Sequence, residues 1–124
     1  MVDDADQGVD VIVRGDDLLD SAARQIHLRR SLGLGPEPEY WHLPLVVGPD
    51  GRRLAKRHGD TRLSHYREMG VCPERILGLL GFMCGQIDQP AEMSMSDLIE
   101  RFDITKMSAG PVIMDEFCEK FLTS

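Results

Sequence analysis

Two short stretches carry cations at a spacing that could do chemistry: RRLAKRHGD, residues 52 to 60, and TKMSAG, residues 105 to 110. The first sets Arg52, Arg53, Lys56 and Arg57 close together between Gly51 and Gly59, two residues that let a loop move. Several cations on a mobile loop suit a triphosphate, because charge grows on the leaving pyrophosphate when its α-phosphate is attacked. The second stretch has one cation, Lys106, and runs into Pro111 between helix-like segments, far along the chain from any sheet edge. It reads as an ordinary helix end, with lysine in the last turn before a Gly-Pro break.

The elements around the first stretch favour it. VDVIVRG, residues 9 to 15, is an apolar, β-branched run closed by Gly15, which is the pattern of a buried strand. From Asp16 to Leu32, three acids in the first turns and Leu18, Leu19, Ala22, Ile26 and Arg29 or Arg30 at helical spacing predict a helix. Gly33, Gly35 and Pro36 stop it. YWHLPLVV, residues 40 to 47, is a second strand that Pro44 must interrupt, and the PDG sequence at 49 to 51 is a turn. Strand, helix and strand make the βαβ pattern of a parallel sheet. The basic loop then follows a strand and a tight turn, where open α/β sheets bind ligands. Two strands do not make a stable sheet alone, so further strands must come from elsewhere.

Beyond Asp60 the pattern turns helical: LSHYREMG, PERILGLLGFMCG, SMSDLIERFD and MDEFCEKFL are separated by Gly70, Pro73, Gly85, Pro90 and Pro111. Pro73 fits a first helical turn, Ser94 or Ser96 an N-cap. Ile76, Leu77, Leu79, Leu80 and Met83 form an apolar stripe suited to a core. The division expected is an α/β part over 1–60 and a helical part over 61–124.

Bulk properties narrow the class. The 124 residues suffice for one domain or part of a larger one, and no apolar run nears the ~20 residues needed to span a membrane. The acidic start, MVDDADQGVD, is unlike a secretory leader, which makes the cytoplasm the default location. A net charge of −7 argues against a surface wholly given to nucleic acid. Of two basic islands, Arg24, His27, Arg29 and Arg30 read as solvated charge, whereas Arg52 to Arg62 do so less well. Cys72, Cys84 and Cys118 lack the count and spacing of a disulfide framework or a zinc site.

Several ordered motifs then carry a resemblance. VDDADQGVDVIVRGDDLLDSAARQ, YWHLPLVVGPDGRRLAKRHGDT and YREMGVCPERILGLLGF resemble the second half of the class I glutamyl-tRNA synthetase catalytic region. That family includes a shorter relative that glutamylates queuosine in tRNA(Asp). ERFDITKMSAGPVIMDEFCEKFL resembles the family's helical stem-contact region, where K-M-S has no catalytic role. The fold class implied is α/β: the C-terminal part of a Rossmann-type parallel sheet, then an all-helical stem-contact region.

The resemblance also implies roles. RRLAKRHG matches the family's lysine loop, of form K-hydrophobic-S-K-R, with Arg53 and Ala55 replacing the first lysine and the serine. Lys56 would be the catalytic residue that stabilises the ATP phosphates during adenylate formation, flanked by Arg53 and Arg57. Arg14 would bind the carboxylate of glutamate, a task suited to a bidentate guanidinium. Leu45 and Val46 would border the adenine. Ser21, Arg24 and Gln25 match an S-x-x-R-Q helix read as packing, and Asp16 and Asp17 are helix-start acids or orient Arg14. His42 and His58 receive no proton-transfer role. The substrates implied are ATP with Mg2+ and glutamate, with tRNA(Glu) or tRNA(Asp) as partner and no zinc site in this chain.

The 124 residues lack the family's first half, with its H-I-G-H-type ATP-binding helix start. Expected of this chain alone are weak ATP binding and no glutamyl-adenylate, with the missing half on another chain as one way to complete the site. Two other readings stay open. One is a non-catalytic RNA-binding remnant that touches a stem through Arg62, His65, Arg67 and Arg75. The other is a truncated, split or decayed gene product.

Overall fold

Strand β1, Val11–Gly15, and strand β2, Glu39–Leu43, pair in parallel, so that Val13 lies opposite Trp41 and Arg14 opposite His42. The computed structural model that shows this describes residues 1–54 and 61–124. Lys56, Arg57 and His58 lie outside the described residues. The contacts divide the chain into two compact units, Met1–Leu45 and Val46–Ser124. This division by contact falls earlier than the 1–60 and 61–124 division drawn from the sequence.

In the first unit a short helix, α1 (Val2–Asp6), precedes β1. A 3-10 turn, Asp16–Leu18, leads into helix α2, Leu19–Ser31, which is the crossover between the parallel strands. The turn opens with Asp16 and Asp17, whose charge suits the positive end of a helix. Gly33 ends α2 in the left-handed region, at φ 63°, and Leu34 N–H donates to the Arg29 carbonyl at 3.1 Å. Only a residue without Cβ takes that conformation freely. Arg29 is not the solvated charge the sequence suggested. It is 4% exposed, and its Nε donates to the Pro36 carbonyl at 2.7 Å, closing the loop after α2. On the sheet, Val11, Val13 and Trp41 stay exposed. Parallel sheets are ordinarily covered on both faces.

Pro44 interrupts the second apolar run as expected. The ladder of β2 ends at Leu43, and Val46–Val47 form a separate strand, β3, in another sheet. There β3 pairs in parallel with β4, Val112–Ile113. That pairing corrects the placement of TKMSAG. Ile104–Lys106 is a 3-10 turn, and the segment feeds a strand through Pro111 rather than lying far from any sheet edge. Among the described residues, four α-helices complete the second unit: α3 (Leu63–Glu68), α4 (Pro73–Met83), α5 (Met95–Arg101) and α6 (Glu116–Thr123). Pro73 stands in the first turn of α4, and Ser94 caps α5.

The core of this unit is Tyr66, Leu79, Met83, Met114, Cys118 and Leu122. Burying each large apolar side chain contributes about 1.5–3 kcal/mol. Burial pushes the thiols of Cys84 and Cys118 up, and all three cysteines are free. Gln86, also buried, accepts from Asp103 N–H at 2.7 Å and donates to the carbonyls of Cys84 and Asp103. Glycine at 78 is required by a close approach: a Cβ there would sit 1.6 Å from the Ala91 carbonyl oxygen.

Carboxylates cap three helix starts. Asp97 and Ser94 form a reciprocal capping box, Asp103 accepts from Thr105 N–H at 2.9 Å, and Asp115 accepts from Cys118 N–H at 3.0 Å. The hydrogen bond from Ser94 holds the Asp97 carboxyl below its usual range, that from Thr105 does so for Asp103, and that from Cys118 for Asp115.

Two outcomes follow from this packing. Gly78→Ala forces the Ala91 backbone aside and lowers stability by roughly 1–3 kcal/mol, read from urea unfolding. A depressed carboxylate stabilises the fold fully above its unfolded pKa, about 4, and that contribution is lost as pH falls through the lower folded value. Urea midpoints measured down to about pH 2 therefore fall below about pH 4, and Asp115→Asn makes that fall shallower.

Candidate active site

The densest polar constellation in the first unit is built around Arg14. Residues of one strand alternate between faces, so Ile12 and Arg14 of β1 share a face with Tyr40 and His42 of β2. Arg14 Nε donates to His42 Nε2 at 3.2 Å, Nη1 to Gln25 Oε1 at 2.7 Å and Nη2 to the Leu18 carbonyl at 3.2 Å. The guanidinium carbon lies 5.0 Å from the centroid of the Tyr40 ring, a cation–π distance. Tyr40 and His42 are stacked, with ring planes 11° apart.

The partners come from three elements. Leu18 ends the 3-10 turn, Gln25 lies on α2, and Tyr40 and His42 lie on β2. A guanidinium has five N–H donors and no acceptor. Among the described residues three of these are used, which leaves one N–H on each terminal nitrogen. A carboxylate can accept from both terminal nitrogens of a guanidinium through its two oxygens. Gly15, next to Arg14, admits no larger residue without movement, since a Cβ there would lie 2.7 Å from Asp17 Oδ1 and 3.1 Å from Leu45 Cδ2.

Other residues singled out from sequence fall as follows. Leu45 is half-buried at the end of the first unit. In the second unit, Val46 begins β3, and the turn after it brings Arg53 back to bridge Val47 in antiparallel fashion. That turn is closed by Gly48 N–H to the Arg52 carbonyl at 2.8 Å and by Arg52 N–H to Asp50 Oδ1 at 3.0 Å, with Gly51 at φ 71°. Arg53 is therefore exposed on a tight hairpin, while Lys56 and Arg57 lie outside the described residues.

Arg62 stands just before α3 and Arg67 in its last turn, both exposed. Arg75 has a different environment. It reaches Glu92 at 2.9 Å, donates to the Ser124 carbonyl at 2.6 Å and lies 5.9 Å from the Phe121 ring centroid. Among the described residues no cluster of three His, Cys, Asp or Glu side chains could hold a metal ion.

The sequence singles out Arg14 but not these partners: it assigns Gln25 to packing, passes over Tyr40 and gives His42 no proton-transfer role. The S-x-x-R-Q motif is the available signal, since it puts Gln25 one helical turn beyond Ser21 on α2.

Residues 1–118 match the family described as tRNA synthetases class I (E and Q), catalytic domain. The chain therefore belongs to the catalytic domain of these class I tRNA synthetases. Within that class it belongs to the glutamyl-tRNA synthetase family. It is 48% identical over 112 residues to the glutamyl-Q tRNA(Asp) synthetase of Symbiobacterium thermophilum, covering 90% of this chain and 34% of that protein. The glutamate-tRNA ligase of Nitrosomonas europaea is 36% identical over 111 residues, covering 90% of this chain and 24% of the ligase. Among solved structures, the glutamate-tRNA synthetase of Elizabethkingia anophelis superimposes with a TM-score of 0.75 at 26% identity, over 96% of this chain and 28% of that one. The chain thus spans about a third of the length of the glutamyl-Q synthetases it matches.

The contrast between the arginines of the second unit is measurable. Arg75→Ala removes a half-exposed tie and lowers stability by about 0.2–1 kcal/mol, whereas Arg67→Ala changes it by less than about 0.5 kcal/mol, both read from thermal unfolding.

Proposed function

We propose that this chain is the C-terminal part of the catalytic region of a ligase that activates glutamate with ATP and passes the glutamyl group to tRNA. The observation that carries this reading is the Arg14 guanidinium, held on three sides with one N–H left on each terminal nitrogen. In this role it takes a carboxylate of glutamate through a two-pronged, charge-assisted pair. A solved relative, the glutamate tRNA ligase of Elizabethkingia meningosepticum, is known in complex with its amino acid.

ATP supplies the energy by forming a mixed anhydride with the glutamate α-carboxylate and releasing pyrophosphate. Arg53, exposed on its hairpin, suits the negative charge of the triphosphate, and Lys56 and Arg57 follow it in sequence. Lys56 stabilises charge that grows on the leaving pyrophosphate. Mg2+ enters with ATP. Leu45 and Val46 border the adenine through their backbone. No nucleophilic side chain is needed, because the substrate's own carboxylate attacks the α-phosphate.

For the acceptor, the higher identity to glutamyl-Q tRNA(Asp) synthetases, 44–48%, than to glutamate-tRNA ligases, 35–39%, supports queuosine of tRNA(Asp) over the 3′ end of tRNA(Glu). Stem contacts fall to the exposed Arg67 rather than to Arg75, which is engaged within the unit. Activity requires the family's ATP-binding half, which the 124 residues do not include. The exposed Val11, Val13 and Trp41 of the two-stranded sheet support a larger parallel sheet in the working enzyme.

The 124-residue chain alone is expected to give no glutamate-dependent ATP–pyrophosphate exchange, and exchange above background would overturn the need for a further half. In the complete catalytic region, Lys56→Ala slows adenylate formation roughly 10²–10³-fold. An unchanged exchange rate would remove Lys56 from the phosphate site.

A further inference from the structure

We infer that Gln25 and His42 are positioning residues that fix the plane of the Arg14 guanidinium, so that its two remaining N–H groups point outward as a ready-made fork for a substrate carboxylate. This rests on the reading that Arg14 takes that carboxylate.

A lone arginine side chain turns about several bonds and loses rotamer freedom when it binds. Here the loss is met in the free protein. Three contacts on three different nitrogens define a plane: His42 on Nε, Gln25 on Nη1 and the Leu18 carbonyl on Nη2. The Tyr40 ring supports one face of that plane. Because arginine only donates, the chemistry of both partners is settled. Gln25 must present its carbonyl oxygen, and His42 must present an unprotonated Nε2, which puts the ring proton on Nδ1. The parallel register brings His42 opposite Arg14, and the α2 crossover carries Gln25 across the same face. The fork is thus assembled by both strands and the helix between them, and the binding site is preorganised before substrate arrives.

The test uses the 15N-labelled 124-residue chain, with the Arg14 Nε–Hε signal identified by its loss in Arg14→Lys. Guanidinium rotation and L-glutamate titrations are compared in wild type, Gln25→Leu, His42→Leu and His42→Gln. In wild type the rotation is restricted and glutamate shifts the signal. Gln25→Leu and His42→Leu free the rotation and raise the glutamate Kd about tenfold or more, with the remaining amide spectrum unchanged. His42→Gln, which keeps an acceptor near the position of Nε2, restores both. Wild-type rotation and wild-type Kd in Gln25→Leu and His42→Leu overturn the proposal. A restricted Arg14 that Gln25→Leu frees, but that glutamate never shifts in wild type, upholds the hold of Gln25 on Arg14 and overturns the carboxylate reading instead.

Discussion

Proline at position 44 has no backbone N–H, and the rest of the architecture depends on that missing donor. The parallel ladder ends just before it, at Leu43, where β1 also turns into the 3-10 turn at Asp16, and one apolar run becomes two strands that serve different sheets. Upstream, β2 is left with five residues paired to β1, enough to set Arg14 against His42. Downstream, Val46–Val47 pair with Val112–Ile113, so a strand near the middle of the chain organises a unit that runs to its last residue.

The Arg14 constellation shows how a charge is held in place at modest cost. The cation is not buried alone; it lies on an aromatic face and donates to two side chains and a carbonyl. Leaving a partly buried donor unmet is more expensive than the net gain from any one of these bonds, so the network acts as a unit. Arg75 is a useful contrast. It too has an aromatic ring and oxygen partners, but these tie α4 to Glu92 and to the end of the chain. Residue type is the same in both cases, and the neighbours decide what each guanidinium is for.

Much was legible in the chain. Strand, crossover helix and strand were readable from β-branched runs, helical spacing and the Gly33 stop, because each is a local preference that the tertiary fold did not override. The four later helices were readable for the same reason, as was an N-cap at Ser94 or Ser96, of which the structure uses Ser94. Membership of the class I glutamyl-tRNA synthetase family was legible too, through ordered motifs that the comparisons bear out. The β3–β4 pairing was not. Two-residue strands carry almost no periodicity, and their partners are far apart in sequence. Burial of Arg29 was equally hidden, since charge predicts exposure unless a carbonyl such as that of Pro36 is known to be waiting.

By itself, then, the sequence determined the elements, the break at Pro44, the family, and Arg14 as a residue worth following. These depend on local backbone preference and on motif order along one chain. Only the tertiary structure decided that TKMSAG leads into a strand, that Arg75 is bound within its own unit, and that Gln25, His42 and Tyr40 surround Arg14. Those facts depend on which groups meet across 28 residues in one case and 49 in another. Hydrogen bonds and cation–π contacts are short-ranged, so they exist only once the fold has closed that distance.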